Sequence, residues 1–170
     1  GKDAKACTAA LKEMESAYRK AAEKDKSSYP ITNALAANIV LKLRTGKPDK
    51  KSLAGLKAEV DDAAAQAGKE LQSGHNDFWA KTGVTDAKLL QNLFRRLSGR
   101  KKIFNDKLHD ELVKEYKTAW RQFGSARELN SIIEHYAFLV AVLTKSKSFD
   151  DLRGSLEKIL ASLRTLYQGE

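Results

Sequence analysis

The sequence predicts an all-α protein of about seven antiparallel helices, and three observations support this fold class. Apolar residues recur at intervals of three and four along most of the chain, which is the period of an amphipathic helix. The 170 residues include only two prolines, Pro30 and Pro48, and no sustained alternation of β-branched and polar residues that would predict a strand. The links between periodic segments are short, so successive helices are expected to be antiparallel neighbours.

The first predicted hairpin covers about residues 4–45. Its first helix, at about 4–24, repeats apolar residues on one face from Leu11 onward. Its second helix is predicted to open at Pro30, because a proline in the first turn lacks only an N–H that would have no helical partner there. Gly46, followed by Pro48, predicts where this helix ends.

Two polar residues of this second helix, Asn33 and Asn38, could serve either chemistry or structure. We expect the amide of Asn33 to satisfy first-turn N–H groups, which a helix start leaves unpaired. Asn38 lies about 140° farther around the helix, so the two amides cannot form one site. Both are therefore interpreted as residues that hold the helix in place.

The second predicted hairpin covers about residues 52–97. The third helix, at 52–72, carries a narrow stripe that includes small residues such as Ala63 and Ala67, so a neighbouring helix can approach it closely. The fourth helix is expected to begin near Asn76, to be irregular at Gly83 and to end before the polar stretch that follows Leu97.

The third predicted hairpin covers about residues 106–144, and a capping helix at about 148–167 completes a single domain of residues 1–170. Ser125 and Glu128 have the spacing of a capping box, which predicts the start of the sixth helix. Asp150 and Asp151 give the seventh helix the acidic first turn that the helix dipole favours.

The composition is that of an ordinary soluble globular protein, with 42% apolar and 31% charged residues. No apolar run approaches the roughly 18 residues that span a bilayer, so no membrane partner is expected. The single cysteine, Cys7, cannot form an internal disulfide. This favours a reducing compartment, and the cytoplasm is the expected location.

No pattern of catalytic or metal-binding residues is found in the sequence. His75, His109 and His135 lie far apart, and none belongs to a pair spaced to place two ligands on one helix face. Cys7 is interpreted as a small packed residue rather than a nucleophile. We therefore expect no metal, no cofactor and no enzymatic activity, unless another part of a longer chain carries an active site.

Positive charge is the feature that most suggests a function. The net charge is +9, and between positions 95 and 127 ten basic residues face only four acidic ones. The densest part links the fourth and fifth helices and reads RRLSGRKK. It is either a solvated turn or a surface that meets phosphates or an acidic partner.

A repeated pattern of Tyr-x-x-Ala occurs in the first helix, at Tyr18, and in the fifth, at Tyr116. It resembles a tetratricopeptide repeat, in which small side chains let paired helices cross closely. Over about residues 10–143 the chain also resembles the tetratricopeptide-like TRAFs-binding region of apoptosis-signal-regulating kinases and its bacterial relatives. The stretches that carry this resemblance are YPITNALAANIVLKLRTGKP, DFWAKTGVTDAKLLQNLF and YKTAWRQFGSARELNSIIEHYAFLVAVL. The resemblance implies a tetratricopeptide-like solenoid of stacked hairpins that relays or scaffolds a stress or defence signal for an attached effector.

Two hypotheses of function follow. In the first, the chain is a non-catalytic interaction module that docks a protein partner or a fused effector domain. In the second, it is a helical domain that binds nucleic acid through the same basic strip. The predicted partner-binding residues are Lys114, Lys117, Trp120 and Arg121, with Arg95, Arg96, Arg100, Lys101 and Lys102 at the rim. Trp120 makes such a contact only if it points outward rather than into the core.

Overall fold

The computed structural model describes residues 2–46, 48–74, 77–143 and 148–169. Within these ranges the chain forms seven helices and no strand. The helices are α1 (Lys2–Lys24), α2 (Ser28–Thr45), α3 (Lys50–Gln72), α4 (Phe78–Leu97), α5 (Asp106–Phe123), α6 (Ala126–Val142) and α7 (Asp150–Gly169). The predicted all-α class, with helical hairpins and a C-terminal helix, is confirmed.

Side-chain caps fix several of the helix starts. The predicted capping box is present at α6, where the Ser125 N–H donates to the Glu128 carboxylate at 2.7 Å and the Glu128 N–H donates to the Ser125 hydroxyl at 3.4 Å. At α3, the Asp49 carboxylate accepts from the Ser52 N–H at 2.8 Å. The capping box was predicted because its two residues are only three positions apart. The Asp49 cap was not predicted, and it starts α3 at Lys50, two residues before the predicted start.

The start of α2 is held by a residue that the sequence did not indicate. Its first N–H, on Ser28, donates to the carboxylate of Glu70 in α3 at 2.7 Å, and the Ser28 hydroxyl donates to the other oxygen of that carboxylate at 2.7 Å. The prediction that Asn33 caps this turn is wrong, because its amide donates to the Tyr29 carbonyl at 3.0 Å. The helix begins at Ser28, two residues before the predicted opening at Pro30. Pro30 is its third residue and still lies in the first turn, where its missing N–H leaves no helical bond unmade.

The second asparagine of α2 links two helices. Asn38 donates to the Glu15 carboxylate of α1 at 2.8 Å, and the same carboxylate accepts from Arg19 at 3.0 Å. The NH₂ groups of both asparagines thus donate within the fold, in agreement with their structural interpretation.

One prediction about α4 is wrong, and another concerns a residue outside the described ranges. The helix runs without interruption through Gly83, so the predicted irregularity there is wrong. Gly83 is buried instead because α2 passes close by, and a Cβ atom at this position would lie 3.1 Å from the Ser28 hydroxyl. Asp77 caps the helix by accepting from the Ala80 N–H at 2.8 Å. The predicted start at Asn76 lies outside the described residues, as does the predicted hairpin end at 144.

Helix packing gives one core to which all seven helices contribute. The closest pairs are α1 with α2, α3 with α4, and α6 with α7, while α4 also packs against α2 and α5. In the predicted third hairpin, α5 and α6 are not a closely packed pair, because α7 packs against both of them. The two helices meet through large side chains, and the rings of Tyr116 and Tyr136 are 5.9 Å apart. The small residues of the first two hairpins, such as Ala37 and Ala67, are fully buried and allow closer approach there.

In an open solenoid each repeat touches only its neighbours. In this protein, helices that are far apart in the sequence also touch one another. Helix α6 also contacts α1 and α2. Arg44 of α2 donates hydrogen bonds to the Val142 carbonyl of α6 and to the Ala4 carbonyl of α1. Among the seven helices described here, none has both the length and the apolar character required to cross a membrane.

Candidate functional site

A depression of about 460 Å³ lies where the C-terminal half of α4, the link to α5 and the first turns of α5 meet. Arg95 comes from α4, Arg100 and Lys102 from the link, and Lys107 from α5. All four side chains are exposed. We call this depression the basic cleft.

The link between α4 and α5 is held in a defined shape by backbone hydrogen bonds. The Ser98 N–H donates to the Phe94 carbonyl at 2.9 Å, and the Arg100 N–H donates to the Arg95 carbonyl at 3.1 Å. At its other end Asn105 caps α5 by accepting from the Leu108 N–H at 2.9 Å. The positions of the link cations are therefore set by a structured turn.

Lys102 has a backbone conformation that is unusual for its residue type. Its φ is +57°, and among the described residues it is the one non-glycine with a positive φ. The left-handed region costs an L-residue other than glycine roughly 1 kcal/mol. Such conformations persist where the surroundings enforce them, and they are concentrated at ligand clamps and active sites.

The carboxylates next to the cleft are already engaged. Lys88 of α4 donates to Glu111 at 2.6 Å and also to Glu115. Partial burial lowers the pKa of Lys88, but its hydrogen bonds to both carboxylates outweigh this effect and raise the pKa overall. The same hydrogen bond from Lys88 lowers the pKa of Glu111, which keeps that group ionised.

Three cations of the cleft, in contrast, have no such bond in the described residues. Within the described part of the chain, no hydrogen bond or ion pair engages the side chains of Arg95, Arg100 or Lys102. Arg95 and Arg100 also line a second depression of about 490 Å³ between α3 and α4. They therefore stand between two hollows of the surface, and both can be reached from solvent.

The structure does not bring the five predicted rim residues together at one place. Arg95, Arg100 and Lys102 line the basic cleft, and Lys101 is exposed on the same link. Arg96 is different, because its side chain is only 15% exposed. It donates to the Ser148 carbonyl at 2.7 Å and to Asp151 at 3.2 Å, which ties the end of α4 to the start of α7.

The four predicted contact residues on α5 differ in their exposure to solvent. Lys114 and Arg121 are exposed, whereas Lys117 and Trp120 are half-buried. The indole of Trp120 packs against the hydrophobic core, so it is not the outward-pointing aromatic contact that the hypothesis needs. Lys114 lines a separate depression between α4 and α5.

Sequence reasoning did not select two residues that line the cleft. Lys107 lies inside the basic run, but it is separated from Arg100 by seven positions and by the start of α5. Lys88 precedes Arg95 by seven residues, which places both on one face of α4. That spacing was visible in the sequence and could have identified Lys88.

A buried polar chain connects the three central helices. The Tyr116 hydroxyl donates to the Asp86 carboxyl at 2.7 Å and lies 3.3 Å from the Tyr136 hydroxyl. Burial raises the pKa of Asp86 to about 7, although the hydrogen bond from Tyr116 lowers it. Asp86 lines none of the described depressions. The hydrogen bond between Asp86 and Tyr116 links α4 to α5 within the core, with Tyr136 of α6 beside it.

The remaining candidates for chemistry are dispersed. His109 lies 2.9 Å from Asp110 and 3.1 Å from Ser162, while burial lowers the pKa of His135 to about 4. His75 lies outside the described residues. No group of three potential metal ligands occurs in the ranges that the structure describes. Cys7 is half-buried against the core.

Comparisons with known proteins give no match for this chain: no family model, no curated protein and no solved structure matches it. The resemblance to the TRAFs-binding region thus stays a prediction that depends on the residues quoted above.

Proposed function

We propose that this chain is a non-catalytic interaction module that docks an acidic protein partner, or a neighbouring acidic domain, through the basic cleft. The observation that carries this proposal is the clustering of Arg95, Arg100 and Lys102 around one depression without a carboxylate partner in the described residues. Like charges that are held together repel each other, and an acidic ligand removes this cost.

Some arginines elsewhere on the surface are paired with carboxylates. Arg19 is bonded to Glu15 and Glu59, each at 3.0 Å, and Arg153 is bonded to Glu157 at 2.7 Å. Within the described ranges these two arginines, unlike those of the cleft, have carboxylate partners. A solvated turn does not require the structured link or the unusual backbone of Lys102.

An acidic protein segment suits the cleft better than a nucleic acid strand does. Proteins that bind single strands usually stack bases on exposed aromatic rings. Among the described residues, the apolar side chains that line the cleft are the aliphatic Ile103 and Leu108. The two large apolar side chains that are most exposed, Phe123 and Tyr167, do not line it.

The wider setting belongs to the same proposal. The resemblance to the TRAFs-binding region supports a role in stress or defence signalling beside a fused effector, and the single Cys7 supports a cytoplasmic location. Electrostatic attraction would speed the encounter with the partner, and the affinity would fall as salt increases.

The test is a binding titration with a fluorescent oligoglutamate peptide as the probe, at about 50 mM salt and at higher salt. We expect binding by the wild type that weakens with salt. The triple variant Arg95→Glu/Arg100→Glu/Lys102→Glu should lose about tenfold or more in affinity, because each reversal replaces an attraction by a repulsion. An unchanged affinity of this variant rejects the proposed site.

A matched control separates the cleft from net charge. The variant Lys5→Glu/Lys12→Glu/Lys20→Glu changes the net charge equally, but on exposed positions of α1. It should bind the peptide nearly as well as the wild type, and an equal loss in both triple variants means that the effect is non-specific. A single-stranded oligonucleotide that binds more tightly than oligoglutamate at the same salt would favour the nucleic-acid hypothesis instead.

A further inference from the structure

The depression that Lys114 lines is beside the basic cleft, on the same seam between α4 and α5. It encloses about 430 Å³ and has an apolar floor made by Leu71, Val84 and Ala119. Thr118 and Gln122 are exposed at its edge. We call this depression the apolar groove.

The cleft and the groove are adjacent parts of one surface. Glu111 lines both, and its ion pair with Lys88 lies between them. The cleft lies at the N-terminal end of α5, where it includes Lys107, and the groove extends to Gln122 near the C-terminal end. This part of α5 is about 22 Å long, so a helix of roughly fifteen residues would cover both depressions.

Positive charge continues along the groove. Lys81 and Lys114 lie at its rim. The carboxylates nearby already have donors, because Lys88 is ion-paired with both Glu111 and Glu115, and the Thr85 hydroxyl also donates to Glu115 at 2.9 Å. The whole surface therefore combines an apolar floor at one end with unpaired cations at the other.

We infer that the two depressions form one binding site for an acidic amphipathic helix of a partner protein. This inference rests on the proposed function and adds the form and direction of the partner segment. Its acidic end lies over Arg95, Arg100 and Lys102, and its apolar side chains contact Val84 and Ala119. A helix on the seam between two antiparallel helices packs in the way that the helices of this fold already pack.

Charge complementarity selects this occupant. An acidic helix satisfies the cations of the cleft and those at the groove rim, whereas a basic or neutral helix would leave them facing like charge or an apolar surface. The direction follows because the unpaired arginines are concentrated at one end and the apolar floor lies at the other.

The test uses a designed fluorescent peptide of about fifteen residues. One half carries glutamates, and the other half carries leucines at positions i, i+3 and i+4. Its comparison peptide has serine in place of each leucine. We expect the leucine peptide to bind about tenfold or more tightly than the serine peptide at physiological salt, since buried leucines add apolar contact area. Equal affinities overturn the inference but leave the proposed function intact, because the serine peptide alone tests the cleft.

A variant that fills the groove provides a second readout. Thr118→Trp places a bulky side chain at an exposed position without changing the charge. It should remove the advantage of the leucine peptide and leave the affinity of the serine peptide unchanged. The control Ala17→Trp adds the same side chain to an exposed position of α1, and it should behave as the wild type. If Thr118→Trp, shown to be folded by circular dichroism, binds the leucine peptide as tightly as the wild type, the inference is wrong.

Discussion

The hydroxyl of Tyr116 donates a 2.7 Å hydrogen bond to the carboxyl of Asp86 inside the core. This pair joins α4 to α5, and Tyr136 of α6 lies beside it. Ionisation of this buried carboxyl costs desolvation free energy, and the hydrogen bond from Tyr116 offsets only part of that cost. The pKa of Asp86 therefore rises to about 7. The fold therefore holds an acid in its centre whose charge changes near neutral pH.

We predict that Asp86→Asn removes a pH-dependent loss of stability. The folded pKa of Asp86 lies above its unfolded value, so its contribution is fully present below about pH 4 and is lost as the pH rises to about 7. The free energy of unfolding of the variant, relative to that of the wild type, should therefore rise over this window. The upper limit of this rise in the free energy of unfolding is on the order of 4 kcal/mol.

Urea unfolding at a series of pH values measures this difference. Tyr116→Phe is the control, because it removes the hydrogen bond and keeps the carboxyl that titrates. If Asp86→Asn and the wild type show parallel stability profiles between pH 4 and 7, Asp86 does not titrate as described.

We predict that His135 makes the protein less stable at acidic pH, which is the opposite pH dependence to that of Asp86. Burial lowers its folded pKa from 6.5 to about 4, so the stability that it contributes is present above pH 6.5 and is lost as the pH falls towards 4. The ring is partly exposed, and we expect a change of about 2 kcal/mol after allowing for solvent screening. His135→Gln should remove this loss at acidic pH.

The contributions of Asp86 and His135 to the free energy of unfolding can be measured separately. Both change over the same pH range, but in opposite directions. Between pH 4 and 6.5 their effects offset each other in the wild type. Asp86→Asn alone should become more stable as the pH rises through this range, and His135→Gln alone should become less stable. The same slope in both variants would show that one of the two assignments is wrong.

The sequence predicted the features that depend on neighbouring residues. The helix periods and the capping box of Ser125 and Glu128 involve positions within four of each other, so the chain itself displays them. The cap of α2 could not be predicted in the same way, because Ser28 and Glu70 are 42 positions apart. An ordinary-looking glutamate becomes a cap only once α3 has packed beside α2.

The candidate site was predicted in part for the same reason. The basic run indicated Arg95 and Arg100, but the cleft also requires Lys107 from the next helix and Lys88 from the preceding turns of α4. The sequence alone could not show that the neighbouring Arg96 points towards α7 and is bonded to Asp151. Residues that are adjacent in a helix point about 100° apart, so an equal charge does not imply an equal role.

We predict that Glu70→Ala destabilises the protein by about 2 kcal/mol. The substitution leaves the Ser28 N–H at the start of α2 without its acceptor and removes the bond from the Ser28 hydroxyl. Thermal or urea unfolding of the variant measures the loss. A double-mutant cycle with Ser28→Ala should give a coupling of about 1 kcal/mol, because the two side chains share a bond. Additive effects would mean that the Ser28 hydroxyl contributes no bond to the carboxylate. Glu23→Ala, at an exposed position of α1, serves as the near-neutral control.

Two glycines in helix interiors should differ in how their replacement by alanine changes the stability. Gly68 of α3 has open space where a Cβ would lie, so Gly68→Ala should stabilise the protein by about 0.5–1 kcal/mol through helix propensity. At Gly83 the new methyl group would lie 3.1 Å from the Ser28 hydroxyl, which Glu70 holds in place at 2.7 Å. Overpacking should cancel the gain and leave Gly83→Ala about 1 kcal/mol or more less stable than Gly68→Ala.

Removal of the clashing atom tests the cause of this difference. In the Gly83→Ala background, Ser28→Ala should cost less stability than it does in the wild type, because it relieves the close contact while it breaks the bond to Glu70. Urea unfolding of the four chains, compared as a cycle, measures this coupling. If Ser28→Ala costs the same in both backgrounds, the hydroxyl does not limit the space at Gly83, and the close approach of α2 to α4 needs another explanation.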